Sequence, residues 1–230
     1  MSALPGFLFP LDLDERIDSD IVFVIDQSGS MNTYDPNNTR IDATKMFVEN
    51  MLDTQRVGIV EFTSSGSINE ALTDDKDALL STLDTMYNPG GLTNITDGLR
   101  KAGELFEESE DRQKVVVLLT DGESNRERGQ ELPMAQELAD EGVIINTIAL
   151  GSEVDLELVE EIANISGGSY NFIPTEDDGA TQEEVDRLIE NIFEWLWRNL
   201  GVGVYEDEDD HALPLPWEMG LEYEDLKTGL

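Results

Sequence analysis

The sequence predicts an α/β fold: a mainly parallel central sheet with one antiparallel edge strand and helices on both faces. Two observations carry this. Apolar runs dominated by Val and Ile recur at Ile21 to Ile25, Val57 to Phe62, Val115 to Leu119 and Val143 to Leu150. They lack the alternation of a half-exposed strand, so each reads as buried on both faces. Segments with helical spacing lie between them, and strands alternating with helices favour a parallel sheet covered on both sides.

The elements follow in order. After the first strand, Ile41, Met46, Phe47, Met51 and Leu52 form a one-sided stripe over 41–52. The stretch SINEALT, residues 67–73, follows the second strand too closely for a helical crossover and reads as an antiparallel edge hairpin. Helices are expected at 75–86 and at 95–106, where Ile95, Leu99, Ala102, Leu105 and Phe106 share a face. Two more are expected at 131–141 and 155–165, the second closed by Gly167 and Gly168 before a short strand. Thr181 and Glu184 match a capping box. Val185, Leu188, Ile189, Ile192, Phe193 and Leu196 then carry a last, long amphipathic helix, with Trp195 and Trp197 off its stripe and free to contact the tail. After Leu200 the chain turns acidic and proline-rich without a sustained period. The boundaries are therefore 1–19 for an N-terminal extension, 20–199 for the domain and 200–230 for an acidic C-terminal extension.

Length and composition fit one domain: 230 residues, 39% hydrophobic. The net charge of −37, from 51 acidic and 14 basic residues, argues against nucleic acid, whose phosphates call for clustered Lys and Arg. Only five of the basic residues are Lys, and the acids are spread along the chain. Such a surface resembles that of proteins from salt-loving organisms; acidity selected for solubility is the ordinary alternative. Without Cys there are no disulfides, thiolate nucleophiles or Cys-based zinc sites. The opening MSALPGFLFPLDLDER lacks a basic start and a cleavage pattern, making it a poor signal peptide. No apolar run approaches the roughly 20 residues of a spanning helix, so membrane insertion by this chain is not expected.

Ligand crevices of open parallel sheets form at the carboxyl ends of the strands. Three loops at such positions carry oxygen donors: Asp26, Ser28 and Ser30 after Ile25; Thr93 within NPGGLTN; and Asp121 within TDGES. Two carboxylates and three hydroxyls, with neither His nor Cys, suit a small hard cation such as Mg2+. With five protein donors, some acting through water, a coordination position stays open, attractive to an outside carboxylate. Each piece also has an ordinary reading. Asp26 can cap a turn, Ser28 and Ser30 can bond nearby backbone, Thr93 or Asn94 can cap the following helix, and Asp121-Gly122 can be a plain turn.

VFVIDQSGSM, GGLTNITDGL and VVVLLTDGES resemble the three motifs of the von Willebrand factor type A domain with its metal-ion-dependent adhesion site. The resemblance spans about residues 20–199. It implies a Rossmann-like sheet and a divalent cation, usually Mg2+, with Mn2+ or Ca2+ as substitutes. Ser28, Ser30 and Thr93 match its direct hydroxyl ligands, and Asp26 and Asp121 its acidic members, one or both acting through water. It further implies a partner protein offering a Glu or Asp to the vacant position. In some members the final helix, here 181–199, shifts on binding; plain packing of its stripe is the alternative. Residues 207–218, DEDDHALPLPWE, resemble a degenerate thrombospondin type 3 calcium loop, with His211, Ala212 and Leu215 where an acid, a Gly and another acid are expected.

The expected function is thus a non-enzymatic, metal-dependent protein-binding or adhesion module, as a monomeric domain. A subunit of an intracellular chelatase or ATPase-type assembly is the second reading. An Mg-dependent phosphohydrolase using Asp26 as nucleophile is the third, weakened because Ser28 stands where such enzymes place a second Asp. A serine hydrolase is disfavoured by the absence of a nucleophile elbow and by the sole histidine lying in the tail, and no phosphate-binding glycine loop is present. The location reads as cytoplasmic for a complete chain, and as cell-surface or secreted for a piece of a longer one.

Overall fold

The computed structural model describes residues 18–200, apart from 88, 108, 110, 123, 152, 153, 176 and 177 and the side chains of 194 and 197–199. The calcium-loop register at 207–218 and the Trp197 side chain lie outside the described residues. In chain order the elements are β1 (Ser19–Asp26), α1 (Met31–Tyr34), α2 (Thr39–Asn50), β2 (Gln55–Phe62), β3 (Gly66–Thr73), α3 (Lys76–Leu83), α4 (Ile95–Phe106), β4 (Gln113–Thr120), α5 (Glu131–Asp140), β5 (Val143–Leu150), α6 (Leu156–Ser166), β6 (Tyr170–Ile173) and α7 (Gln182–Asn199). Their strands form one sheet in the order β3-β2-β1-β4-β5-β6. All neighbours are parallel except β2 and β3. The expected mainly parallel sheet with one antiparallel edge is therefore what the chain forms.

Every residue of β1 is buried, as its unbroken apolar run requires. Alternate side chains of β1 face opposite layers. Ile21, Phe23 and Ile25 pack with Ile41, Phe47 and Val48 of α2, Leu79 and Leu83 of α3 and Val185, Ile189 and Phe193 of α7. Val22 and Val24 pack with Leu99 and Phe106 of α4, Leu138 of α5 and Ile162 of α6. Phe23 lies at the centre of the first layer: its ring meets Phe47 edge-on at 5.0 Å and stacks on Phe193 at 5.7 Å. Trp195, off the α7 stripe, is half-buried against this same layer.

Local signals set the helix ends. Asp75, Asn94 and Asp155 accept a backbone N–H three residues on, and Thr181 with Glu184 forms the expected capping box. Gly167 closes α6 at φ 74°, a left-handed value. A side-chain carbon on Gly168 would fall 2.1 Å from the Ile145 carbonyl oxygen, so α6 can return to β6 only through glycine. The predicted stripe from Ile41 understates α2, which starts at Thr39 because Asp35 accepts the N–H groups of Thr39 and Arg40 at 2.7 and 3.2 Å. The short α1 has no periodic signature; it exists because Met31, fully buried, anchors the chain after Ser30.

Phe193→Ala should destabilise the domain by about 3–5 kcal/mol through the cavity left against Phe23. Met46→Ala, at a residue 36% exposed, should stay within about 0.5 kcal/mol of wild type. Urea unfolding at fixed cation concentration separates the two, and equal midpoints would contradict the role given to α7.

Candidate metal centre

The order β3-β2-β1-β4-β5-β6 reverses direction between β1 and β4, and the crevice outside the carboxyl ends of those strands is where open α/β sheets place a ligand. Asp26 ends β1 and Thr120 ends β4, side by side because Ile25 pairs with Leu119 one step earlier. The Thr120 hydroxyl donates to Asp26 Oδ2 at 2.7 Å, and the Ser28 N–H donates to Asp26 Oδ1 at 2.7 Å. Ser28 Oγ and Ser30 Oγ are 3.0 Å apart, and Ser30 Oγ donates to Asp121 Oδ1 at 2.8 Å. Hydrogen bonds thus link β1 to β4 directly at Thr120 and, through Ser28 and Ser30, at Asp121.

Thr93 reaches the same place from the third loop. A side-chain carbon on Gly122 would lie 3.2 Å from Thr93 Oγ1 and 3.6 Å from Ser30 Oγ, so both hydroxyls crowd against this glycine. The Thr93 N–H donates to Asn125 Oδ1 at 3.0 Å, and the Asn125 N–H donates back to the Thr93 carbonyl at 3.0 Å. The glycine loop is also sewn to the first: Gly90 N–H donates to the Gln27 carbonyl at 2.7 Å, and Gly29 N–H to the Gly91 carbonyl at 3.2 Å. Asn94, not Thr93, caps α4, accepting the Asp97 N–H at 3.1 Å. That leaves the Thr93 hydroxyl free of capping duty. All five residues singled out in the sequence therefore converge on one sheet edge.

The electrostatics of this edge are unusual. Asp26 and Asp121 are both 0% exposed. Burial raises the Asp26 carboxyl, outweighing the hydrogen bonds from Thr120 and Ser28. Asp121 is pushed up to about 7, first by burial and then by the charge of Asp26. Asp121 Oδ2 is buried with no hydrogen-bond partner among the described residues. An orphaned carboxylate oxygen beside a second buried carboxylate, edged by hydroxyls and lacking any contacting Lys or Arg, fits a small hard cation.

Supporting residues escaped the sequence reading. Gln27, inside the first motif, donates through Nε2 to the Met86 carbonyl at 2.8 Å and accepts from Arg40 Nη2 at 3.0 Å. Arg40, fully buried, pairs with buried Asp35 at 2.6 Å. Arg40 stands just before the apolar stripe that begins at Ile41, and its sequence neighbours do not mark it as buried. Thr120 and Asn125 offered no signal beyond being polar neighbours of Asp121.

A polar site at the switch point of a doubly wound sheet defines a class of α/β binding domains. Within it the chain belongs to the von Willebrand factor type A domain family, whose profile matches residues 20–187. Domains of this family bind protein ligands and are usually non-catalytic, and those with the adhesion-site motif bind divalent cations. The chain is 30% identical over 167 residues to calcium-activated chloride channel regulator 1 of Bos taurus, covering 70% of this chain and 18% of that protein. It thus spans less than a fifth of that relative. Among solved structures it resembles proximal thread matrix protein 1 from the mussel byssus, solved with a zinc-occupied adhesion-site motif. There the identity is 27%, the TM-score 0.62 and the coverage 77% of this chain and 46% of that one. A von Willebrand factor type A protein from Catenulispora acidiphila shares the fold at 20% identity and TM-score 0.63, covering 77% of this chain and 42% of that one.

The raised Asp121 value has a calculable sign. The unfolded chain loses this proton near pH 4, whereas the cation-free fold keeps it to about 7. The group therefore lowers stability as pH rises from about 4 to about 7, and the cost is complete above that. In chelator, Asp121→Asn should gain stability relative to wild type as pH goes from 5 to 8. Parallel urea midpoints across that range would rule the assignment out.

Proposed function

We propose that this chain is a metal-dependent protein-binding module whose five site residues form a complete metal-ion-dependent adhesion site. Ser28, Ser30 and Thr93 would hold the ion through hydroxyls, and Asp26 and Asp121 through carboxylates, directly or through water. The observation that carries this is the orphaned Oδ2 of Asp121, a buried carboxylate whose Oδ1 accepts from the Ser30 hydroxyl, near the second buried carboxylate, Asp26. Hard oxygen donors without His or Cys favour Mg2+, with Mn2+ or Ca2+ as substitutes. When bound, the ion supplies a coordination position that a Glu or Asp of a partner protein fills.

The chain's own residues do the rest. Thr120 and the Ser28 N–H fix both oxygens of Asp26, so its orientation is set before any ligand arrives. The Asn125–Thr93 pair holds the second and third loops together. Residues 20–199 form the binding domain, flanked by the extensions 1–19 and 200–230. The charge of −37 argues against nucleic acid as a partner. The same charge, spread over the chain, suits high-salt surroundings. A phosphohydrolase gains no support: Asp26, the nucleophile such chemistry would need, is 0% exposed with both oxygens hydrogen-bonded.

Magnesium should raise the melting temperature of the wild type and leave Asp121→Ala unmoved. An equal rise in both would remove the ion from this site. A pull-down of partner proteins in magnesium should release its captured material on chelation; retention in chelator would contradict metal-mediated binding. Phosphate-ester turnover lost on Asp26→Asn would instead establish the hydrolase.

A further inference from the structure

Four arginines stand on the elements around the site, and three are committed. Arg40 is buried against Asp35. Arg100 bonds Asp97 and, at 2.6 Å, Glu127 Oε2. Arg128 Nε donates to the Ser124 carbonyl at 2.7 Å. The fourth, Arg126, is exposed and has no side-chain hydrogen bond or ion pair among the described residues. Its position is nonetheless fixed. Asn125 on one side is bonded reciprocally to Thr93. On the other, Glu127 takes a left-handed φ of 47° and accepts from Arg100 and, at 3.3 Å, from Asn94. The Arg126 carbonyl accepts the Ser124 hydroxyl at 3.1 Å. Both neighbours fold back onto the second loop and α4, which holds the backbone of the exposed Arg126 next to the loop that carries Thr93. A non-glycine residue in the left-handed region costs free energy that surrounding contacts must offset, and such residues gather at ligand-binding loops.

Resting on the carboxylate-binding reading above, we propose that Arg126 determines specificity: it recognises a second acidic side chain of the partner, close to the one that completes the metal site. A guanidinium presents paired donors that match a carboxylate. Arg126 follows Asn125, which is bonded to Thr93, so with an extended ligand advancing about 3.3 Å per residue the second acid is expected within about three positions of the first. The partner segment is thus an acidic peptide with clustered carboxylates, recognised by the exposed Arg126, which has no side-chain hydrogen bond or ion pair among the described residues.

The test displays random peptides around a fixed central Asp and selects them on the full chain, with magnesium and with chelator. Wild type should enrich Asp or Glu within three positions of the centre only in magnesium. Individual peptides with the second acid should bind about two- to fivefold tighter than those without, the range of an exposed ion pair. Arg126→Ala should lose that increment, Arg126→Lys should keep part of it, and Arg126→Glu should switch the enrichment to Lys or Arg. All three variants should keep the magnesium-induced rise in melting temperature, which separates recognition from damage to the site. Flanking preferences shared by wild type and Arg126→Glu, with magnesium dependence intact, would overturn this role alone. No magnesium-dependent capture of Asp-centred peptides would overturn the carboxylate-binding reading and this role with it.

Discussion

The structure turns on two like charges buried at the ends of neighbouring parallel strands. Asp26 closes β1 and Asp121 follows β4, both at 0% exposure. Two carboxylates in a low-dielectric edge cannot both ionise without a counter-charge, and burial raises both. The surroundings divide the task. Asp26 is satisfied by the Thr120 hydroxyl and the Ser28 N–H, whereas Asp121 accepts from the Ser30 hydroxyl and keeps Oδ2 unpaired among the described residues. This asymmetry concentrates the remaining demand for positive charge on Asp121, which is why its carboxyl holds a proton up to about 7.

Holding such an edge together calls for support from behind, and the Arg40 network provides it. The Arg40 guanidinium bonds Asp35 and Gln27; Asp35 caps α2, and Gln27 holds the Met86 carbonyl ahead of the glycine loop. One buried cation thereby ties the first loop, the start of α2 and the approach to the second loop. Its charge draws both site carboxylates downward, but burial prevails because Asp35 neutralises Arg40 at 2.6 Å. A buried pair of this kind is weak evidence for net stability. Its value here is geometric: removing Arg40 would strand Asp35 and release Gln27.

Much of this was legible in the sequence where local chemistry repeats. Strands buried on both faces announce themselves as Val and Ile runs, and α7 through its capping box and stripe. Four of the five candidate site residues stood out as oxygen donors just after strand ends, and Thr93 as a hydroxyl in a glycine loop ahead of α4. The four-residue α1 did not, since one anchor such as Met31 leaves no period to detect. Choosing between Thr93 and Asn94 as the α4 cap needed coordinates, because both side chains can cap and only the loop path separates them. Thr120 and Asn125 depend on register and on pairing between distant loops, which single-residue preferences do not encode. Arg40 is the same case: its burial follows from Asp35 and Gln27 arriving from other segments.

The proposed acidic partner of an acidic chain would pose an electrostatic problem, and the range of the field resolves it. At physiological ionic strength charges farther than about 8 Å are largely screened. The −37 of the whole chain therefore matters less to an approaching carboxylate than the handful of groups around the site. There a divalent ion would nearly balance Asp26 and Asp121. Arg100 engages both Asp97 and Glu127, and the exposed Arg126 offsets the one negative charge left over, bringing these four groups to neutral. Lower salt lengthens the reach of the remaining acids and weakens the encounter, while higher salt removes that repulsion and spares ligand contacts made at short range. The same acidity that would repel this partner in dilute solution is thus compatible with binding it wherever ions are plentiful.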